Sequence, residues 1–299
     1  MRIAVTGATG FLGRYIVTRL AEKEHGCRCW YRSNSDRGGT DAAEGRIEWL
    51  AGELGDADAG RALVEGCDAV VHAALYRPGA GFTGAEGDLA EFVKKNVLGT
   101  IRLIEAARTG GVKRFVFIAT CAVHDRILDD RPLDEAHPLW PFSHYGAHKA
   151  AIEKFVHSYG LGQGYGICSL RPTGIYGLAH PGTKSKWFGL VQAVKTGQQV
   201  RCEGAGKEVH AADVARAVEI LLNAPAKKII GEAFNCYDMY ISEYDVATIA
   251  KELSGSKAKI IGQQKRPKHQ IETAKLRALG MEFGGRPLLE ATVAALLRP

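Results

Sequence analysis

Residues 2–13 read R-I-A-V-T-G-A-T-G-F-L-G, and few stretches restrict a fold as tightly. Ile3, Ala4 and Val5 form a short apolar run suited to a buried parallel strand. Gly7, Gly10 and Gly13 follow at three-residue intervals, and Phe11, Leu12, Ile16, Val17 and Leu20 then recur at helical spacing. Strand, glycine turn and helix together predict a site for a dinucleotide. Gly7 permits the tight turn, Gly10 lets the backbone approach a pyrophosphate facing the helix N-terminus, and Gly13 lets helix and strand pack closely. With 36 glycines in the chain, spacing alone carries little weight. The triplet counts because a strand precedes it and a helix follows.

The same alternation continues through about residue 172 and predicts a doubly wound parallel α/β sheet. Strands are expected at 27–31, 47–51, 68–74, 114–119 and 165–171, and helices at 57–65, 88–108 and 144–159. Residues 77–87 read as a loop beside the cofactor. Residues 120–143 form a long irregular connection, a kind of segment that is usually functional in a compact domain. After Pro172 the rhythm changes. Residues 1–172 are expected to form the dinucleotide domain, joined by returning segments near 211–236. Residues 173–299 are expected mainly in a smaller lobe that selects substrate.

Composition excludes several classes. A chain of 299 residues with 46% hydrophobic and 24% charged residues is ordinary for a globular protein with a large core. The net charge of +6 is spread out; it suits an anionic cofactor and is too diffuse to argue for nucleic acid. The seven cysteines form no C-x-x-C pair and mostly fall in expected strands, as small core residues of a reduced compartment would. No apolar run approaches the ~20 residues of a membrane span, and no signal peptide precedes the first strand, so a cytoplasmic protein without membrane or metal is expected.

Chemistry is expected at Tyr145 and Lys149. Four residues apart on a helix, they share one face. A tyrosine of ordinary pKa near 10 is a poor base at neutral pH, and a nearby ammonium together with an oxidised nicotinamide ring favours its phenolate. Lys149 can also hydrogen-bond the nicotinamide ribose. The second strand ends in Arg32-Ser33-Asn34, with no acid before Asp36. A guanidinium and a hydroxyl suit a 2′-phosphate, so NADP(H) is favoured, with NAD(H) possible.

The opening T-G-x-x-G-x-x-G and the Y-x-x-x-K pair resemble the extended short-chain dehydrogenase/reductase family, which contains nucleotide-sugar epimerases and dehydratases. Further motifs support the resemblance from Arg2 to about Asn235: Gly52-Glu53-Leu54, His72-Ala73-Ala74, Asn96-x-x-Gly99-Thr100, Leu170-Arg171-Pro172-x-x-x-Tyr176-Gly177 and His210-x-x-Asp213-Val214-Ala215. The resemblance implies a Rossmann-type sheet and a hydride transfer between nicotinamide C4 and a secondary alcohol or ketone of a sugar-like or other small hydroxylated substrate. It implies Thr120 as the third catalytic partner, donating to the substrate oxygen, while His124 occupies the family's usual tyrosine position. It also implies cofactor contacts at Gly7, Thr9, Gly10, Phe11, Leu12, Gly13, Arg32, Ser33, Glu53, Leu54, Ala73, Ala74, Asn96, Lys149, Arg171 and Pro172. Glu53 would meet the adenine amine. A homodimer is implied by the same analogy.

Departures from the family bear on substrate. Dehydratases carry Asp-Glu directly after the catalytic threonine; here Cys121 and Ala122 stand there, which disfavours water loss. Nucleotide-sugar enzymes place an asparagine three residues after the strand-six arginine and an arginine four residues before the H-V-x-D histidine. Here those positions are Gly174 and Gly206, with Lys207 adjacent. His180, Lys184, Lys186, Trp187 and Arg201 lie where the second lobe should meet substrate. The alternatives are a nucleotide-sugar 4-epimerase using the same three residues and a non-catalytic NADP(H)-binding sensor.

Overall fold

The computed structural model describes residues 1–79, 84 and 86–298, so part of the loop expected over 77–87 lies outside the described residues. The first half of the chain alternates: β1 (Arg2–Thr6), α1 (Phe11–Glu22), β2 (Gly26–Tyr31), β3 (Ile47–Ala51), α2 (Ala57–Val64) and β4 (Ala69–His72). Next comes α3 (Leu89–Val93), which passes through a π-helical turn at Lys94–Leu98 into α4 (Gly99–Thr109). β5 (Arg114–Ile118), α5 (His144–His157) and β6 (Ile167–Pro172) complete this half. The helix expected over 88–108 is thus continuous but widened by one π turn. That turn carries Asn96, whose amide bonds the Tyr76 backbone.

The second half contains β7 (Gly174–Tyr176), α6 (Phe188–Lys195), β8 (Val200–Cys202), β9 (Ala205–His210), α7 (Ala211–Asn223), β10 (Glu232–Cys236), β11 (Met239–Ser242), α8 (Glu243–Ser254), β12 (Ile260–Gly262), α9 (Ala274–Arg277) and α10 (Gly285–Leu296). Seven strands form one parallel sheet in the order β10-β6-β5-β4-β1-β2-β3. Strand order reverses between β1 and β4, and ligands of such sheets bind beyond the carboxyl ends of the strands at that reversal. The turns leaving β1 and β4 carry Gly7 and Ala73, and Gly7 is φ 75° with its missing Cβ 2.8 Å from the Ala73 carbonyl carbon.

Apolar side chains cover both faces of the sheet. Ile16, Val17 and Leu20 of α1 and Val214, Val218 and Leu221 of α7 share one cluster with Ile3, Val5 and Leu170. Leu103 and Ile104 of α4 and Ile152 and Val156 of α5 share the other with Ala4, Val70 and Phe117. A third cluster joins α6, α8 and α10 through Val191, Val194, Val246, Ile249, Leu289 and Val293. Two small sheets, β11-β9-β7 and β12-β8, stand beside it. Leu276 and Met281, late in the chain, belong to the cluster of the large sheet. The seven cysteines are free thiols, and all but Cys121 are buried. Among the described residues no helix is long and apolar enough to cross a membrane.

Candidate active site

The glycine turn leaves no room for side chains. A Cβ on Gly13 would lie 2.0 Å from the Gly7 carbonyl oxygen, and the Gly10 amide donates to that same oxygen at 3.0 Å. Helix α1 begins at Gly10 with no side-chain cap and no acidic residue in its first turn. Its leading N–H groups are therefore suited to an anion, which is the fit a pyrophosphate requires. His72 ties the two strand ends together: its ring nitrogens meet Thr6 Oγ1 at 2.6 Å and Thr100 Oγ1 at 2.9 Å, and Thr6 Oγ1 accepts from the Ala74 amide. Burial holds His72 down at about 3, so the ring is neutral and serves the fold.

From this turn a cavity of about 890 Å³ runs along the carboxyl edge of the sheet. Of the expected cofactor residues it is lined by Gly7, Thr9, Gly10, Phe11, Leu12, Gly13, Arg32, Glu53, Leu54, Ala73, Ala74, Lys149 and Pro172. Three others do not line it. Ser33 is exposed in the turn after β2, and Ser35 lines the cavity instead, its Oγ accepting from the Arg32 amide at 3.0 Å. Asn96 is buried and grips the Tyr76 backbone from both sides, at 2.8 and 2.9 Å, so it shapes the loop after β4. Arg171 is buried in an ion pair with Glu153 at 2.6 Å and also reaches His124 Nε2 and the Glu135 carbonyl. It braces the floor under the site.

The second-lobe candidates stay away from this cavity. His180 packs over Gly38 and Gly39 and borders a separate cleft beside α1. Lys186 pairs with Glu208, Trp187 lies against Tyr176, and exposed Arg201 pairs with Glu203; Lys184 closes a short 3₁₀ turn. His124, at the family's usual tyrosine position, lines the cavity, and so do Arg77, Lys95, Ile127, Leu133, Ile175 and Ile271, which no sequence motif singles out. Ile271 arrives from the far end of the chain by a single β-bridge to Leu133, a pairing without local signal.

At the end opposite Arg32 the cavity brings together Thr120, Tyr145 and Lys149. Thr120 stands just beyond β5, and its Oγ1 accepts from the Ala122 amide at 3.1 Å. Tyr145 opens α5 behind the Ser143 cap and is hydrogen-bonded to Thr120. Lys149, 4% exposed, donates to the Ile118 carbonyl at 2.7 Å and lies over the Phe117 ring. Burial lowers the Lys149 ammonium to about 7, opposed by the charge of Glu153. Burial also raises the Tyr145 hydroxyl above its ordinary range, against the Thr120 hydrogen bond and the positive charge of Arg77. Arg77 is thus a cation near Tyr145 that the Tyr145–Lys149 spacing does not reveal. His148, one turn along, is buried with Nδ1 unpartnered and its pKa pushed down to about 2 by burial, so it is neutral. His124 is likewise neutral, lowered to about 4 by burial and by Arg171.

Gly174 and Gly206 flank one carboxylate. A Cβ at Gly174 would lie 2.6 Å from Glu208 Oε2, and one at Gly206 would lie 2.7 Å from Oε1. Glu208 is 4% exposed; Oε1 takes the Lys186 ammonium at 2.5 Å and Oε2 has no hydrogen-bond partner.

Residues 3–236 match the NAD dependent epimerase/dehydratase family. The chain is 31% identical over 271 residues to a 4-hydroxy-2-methyl-3-oxo-4-farnesyl-3,4-dihydroquinoline-1-oxide ketoreductase of Stigmatella aurantiaca, covering 87% of this chain and 75% of that one. It is 30% identical over 182 residues to a 3 beta-hydroxysteroid dehydrogenase/Delta 5-->4-isomerase of Mycobacterium tuberculosis, covering 59% of this chain and 47% of that one. Among solved structures, a UDP-glucose 4-epimerase of Thermus thermophilus in complex with NAD superposes with a TM-score of 0.76 over 99% of both chains at 22% identity, a likeness of fold. The fold, the glycine turn and these matches make the chain a member of the NAD-dependent epimerase/dehydratase family, enzymes of the extended short-chain dehydrogenase/reductase type.

Proposed function

We propose that the protein is an oxidoreductase that interconverts a secondary alcohol and a ketone. The observation that carries this reading is the convergence of Thr120, Tyr145 and Lys149 at one end of the cavity that starts at the glycine turn. A bound nicotinamide dinucleotide supplies the hydride, or accepts it with both electrons. Gly7, Gly10 and Gly13 with the start of α1 hold its pyrophosphate, Glu53 and Leu54 meet the adenine end, and Lys149 holds the ribose nearest the reacting ring. In the reductive direction Tyr145 gives its hydroxyl proton to the carbonyl oxygen as the carbonyl carbon gains the hydride, which leaves a neutral alcohol and a phenolate. In oxidation the phenolate takes the alcohol proton. Thr120 donates to the substrate oxygen in both directions. Burial raises the Tyr145 hydroxyl, which suits it to hold and give a proton in the reductive direction.

Residues 1–172 with the 211–236 segment carry cofactor and chemistry in this reading, supported by the place of β10 in the large sheet and by α7 packing against α1. Residues 173–299 mainly select substrate. NADP(H) is the preferred cofactor. Arg32 lines the cavity, whereas Asp36 is engaged by the Gly38 amide at 2.8 Å and by Arg14. Dehydration is disfavoured because Cys121 and Ala122 offer no acid–base pair. Nucleotide sugars are disfavoured because Glu208 fills the space at Gly174 and Gly206. Seven reduced cysteines support a cytoplasmic protein, and the family analogy a homodimer. The ketoreductase and hydroxysteroid dehydrogenase among the relatives support alcohol–ketone chemistry.

The test is pre-steady-state hydride transfer. Tyr145→Phe keeps the ring and removes the proton path, and turnover falls about 10²–10⁴-fold with cofactor affinity nearly unchanged. Thr120→Ser is tolerated and Thr120→Val is not. Near-normal rates in Tyr145→Phe would refute Tyr145 as the proton donor, and tight cofactor binding with no turnover of any alcohol or ketone would revive the non-catalytic sensor.

A further inference from the structure

Beyond Thr120 and Tyr145 the cavity is walled by aliphatic side chains from three distant segments. Ile127 and Leu133 come from the 120–143 connection, Ile175 from β7 and Ile271 from the segment before α9. Leu133 and Ile271 are buried against Tyr237 in a small apolar cluster of their own, with Cys121 and Ile127 packed on it. The four aliphatic side chains offer no partners to a hydroxyl-rich ligand, the nearby Thr173 hydroxyl can serve only one or two groups, and each further hydroxyl buried there without a partner weakens binding. His124, the ring among them, is occupied, with its nitrogens directed at Arg171 and the Pro138 carbonyl.

Arg77 charges the Tyr145 end of the cavity, and a second cation stands on β9, the strand paired with β7. Lys207 lines the cavity, is half-buried and makes no hydrogen bond or ion pair with any described residue. Its neighbour Glu208 cannot serve it. Successive residues of a strand point to opposite faces, and Glu208 turns to Lys186. An ammonium losing water in an apolar wall calls for an acceptor, and its long stem adds apolar surface beside it.

We propose that this compartment takes a ketone or alcohol built on an apolar ring system and carrying one anionic or strongly accepting group, which Lys207 binds. The proposal rests on the alcohol–ketone reading above and replaces a sugar-like substrate with a hydrophobic one. The aliphatic wall selects the ring body. Lys207 fixes its orientation.

The experiment compares a bicyclic decalone, its ring-carboxylate derivative and a ketohexose as substrates of the NADPH-loaded enzyme. Calorimetric binding of the same three is measured in parallel. The expected order of kcat/KM is carboxylate, then decalone, then ketohexose. The first step is about tenfold or more, as a hydrogen bond between charged groups supplies. Lys207→Met erases the preference for the carboxylate through KM, and Lys207→Arg retains it. A ketohexose turned over as well as the decalones, or a carboxylate with no advantage, overturns the proposal and leaves hydride transfer standing. Binding of the carboxylate that Lys207→Met weakens, without turnover of any ketone, supports the compartment and sinks the hydride-transfer reading. Absence of binding by both decalones overturns the proposal.

Discussion

Lys149→Met should stabilise this enzyme in the absence of cofactor. The lysine is 4% exposed, and burial lowers its ammonium from the ordinary 10.5 to about 7. A difference of that size corresponds to about 5 kcal/mol of charge burial, at ~1.36 kcal/mol per pKa unit. Between pH 7 and 10.5 the unfolded chain binds more protons at this site than the folded one, so wild-type stability gains from this group as pH rises through that window. The gain is complete above 10.5 and is lost as pH falls through about 7. Methionine has no charge to bury, but it leaves the Ile118 carbonyl without its side-chain donor, a loss of about 1–3 kcal/mol. The variant should therefore exceed wild type by about 2–4 kcal/mol at pH 6 and lose that advantage by pH 10. Urea unfolding of both proteins across this range measures the difference. A variant less stable at pH 6, or a difference that does not change with pH, refutes the reasoning. The same substitution should weaken cofactor binding and turnover, measured by titration and initial rates, which would make the buried ammonium a cost in stability tied to the proposed chemistry.

Two further outcomes follow from the cavity walls. Titration with both reduced cofactors should give tighter binding of NADPH than NADH, and Arg32→Ala should weaken NADPH selectively; equal affinities in wild type count against the 2′-phosphate assignment. UDP-glucose should show no micromolar binding by calorimetry. Two absent charge-assisted hydrogen bonds, at about 1.5–3 kcal/mol each, amount to about 10²–10⁴ in Kd, and micromolar affinity would promote the 4-epimerase alternative.

What could be read from the chain was what local spacing encodes. The glycine triplet, the strand runs and the Tyr145–Lys149 interval each lie within one βα unit or one helix, and the structure brings them to a single cavity. The exceptions are long-range. Arg171 was placed by motif beside the cofactor, yet its guanidinium finds Glu153 on α5 and stays under the floor. Asn96 turns inward because the π turn aims it at the Tyr76 backbone. Ser33 and Ser35 exchange roles over two residues of a turn, a distinction that depends on backbone course alone. Arg77 opens the loop expected beside the cofactor without being singled out in it, and Ile271 reaches the site from a segment with no periodic pattern, so nothing local marks it. Gly206 precedes Glu208 by two residues on β9, but Gly174 faces it only through the long-range pairing of β7 with β9, which no local pattern encodes.

The central claim is that this chain moves a hydride between a nicotinamide and a carbinol carbon, with Tyr145 carrying the proton. The most direct measurement follows a deuterium label from C4 of NADPH in a single turnover with a cyclic ketone. The account predicts one deuterium bonded to the carbinol carbon of the product, in step with loss of NADPH absorbance. An unlabelled alcohol, or a label that remains on the cofactor while substrate is altered, would contradict it.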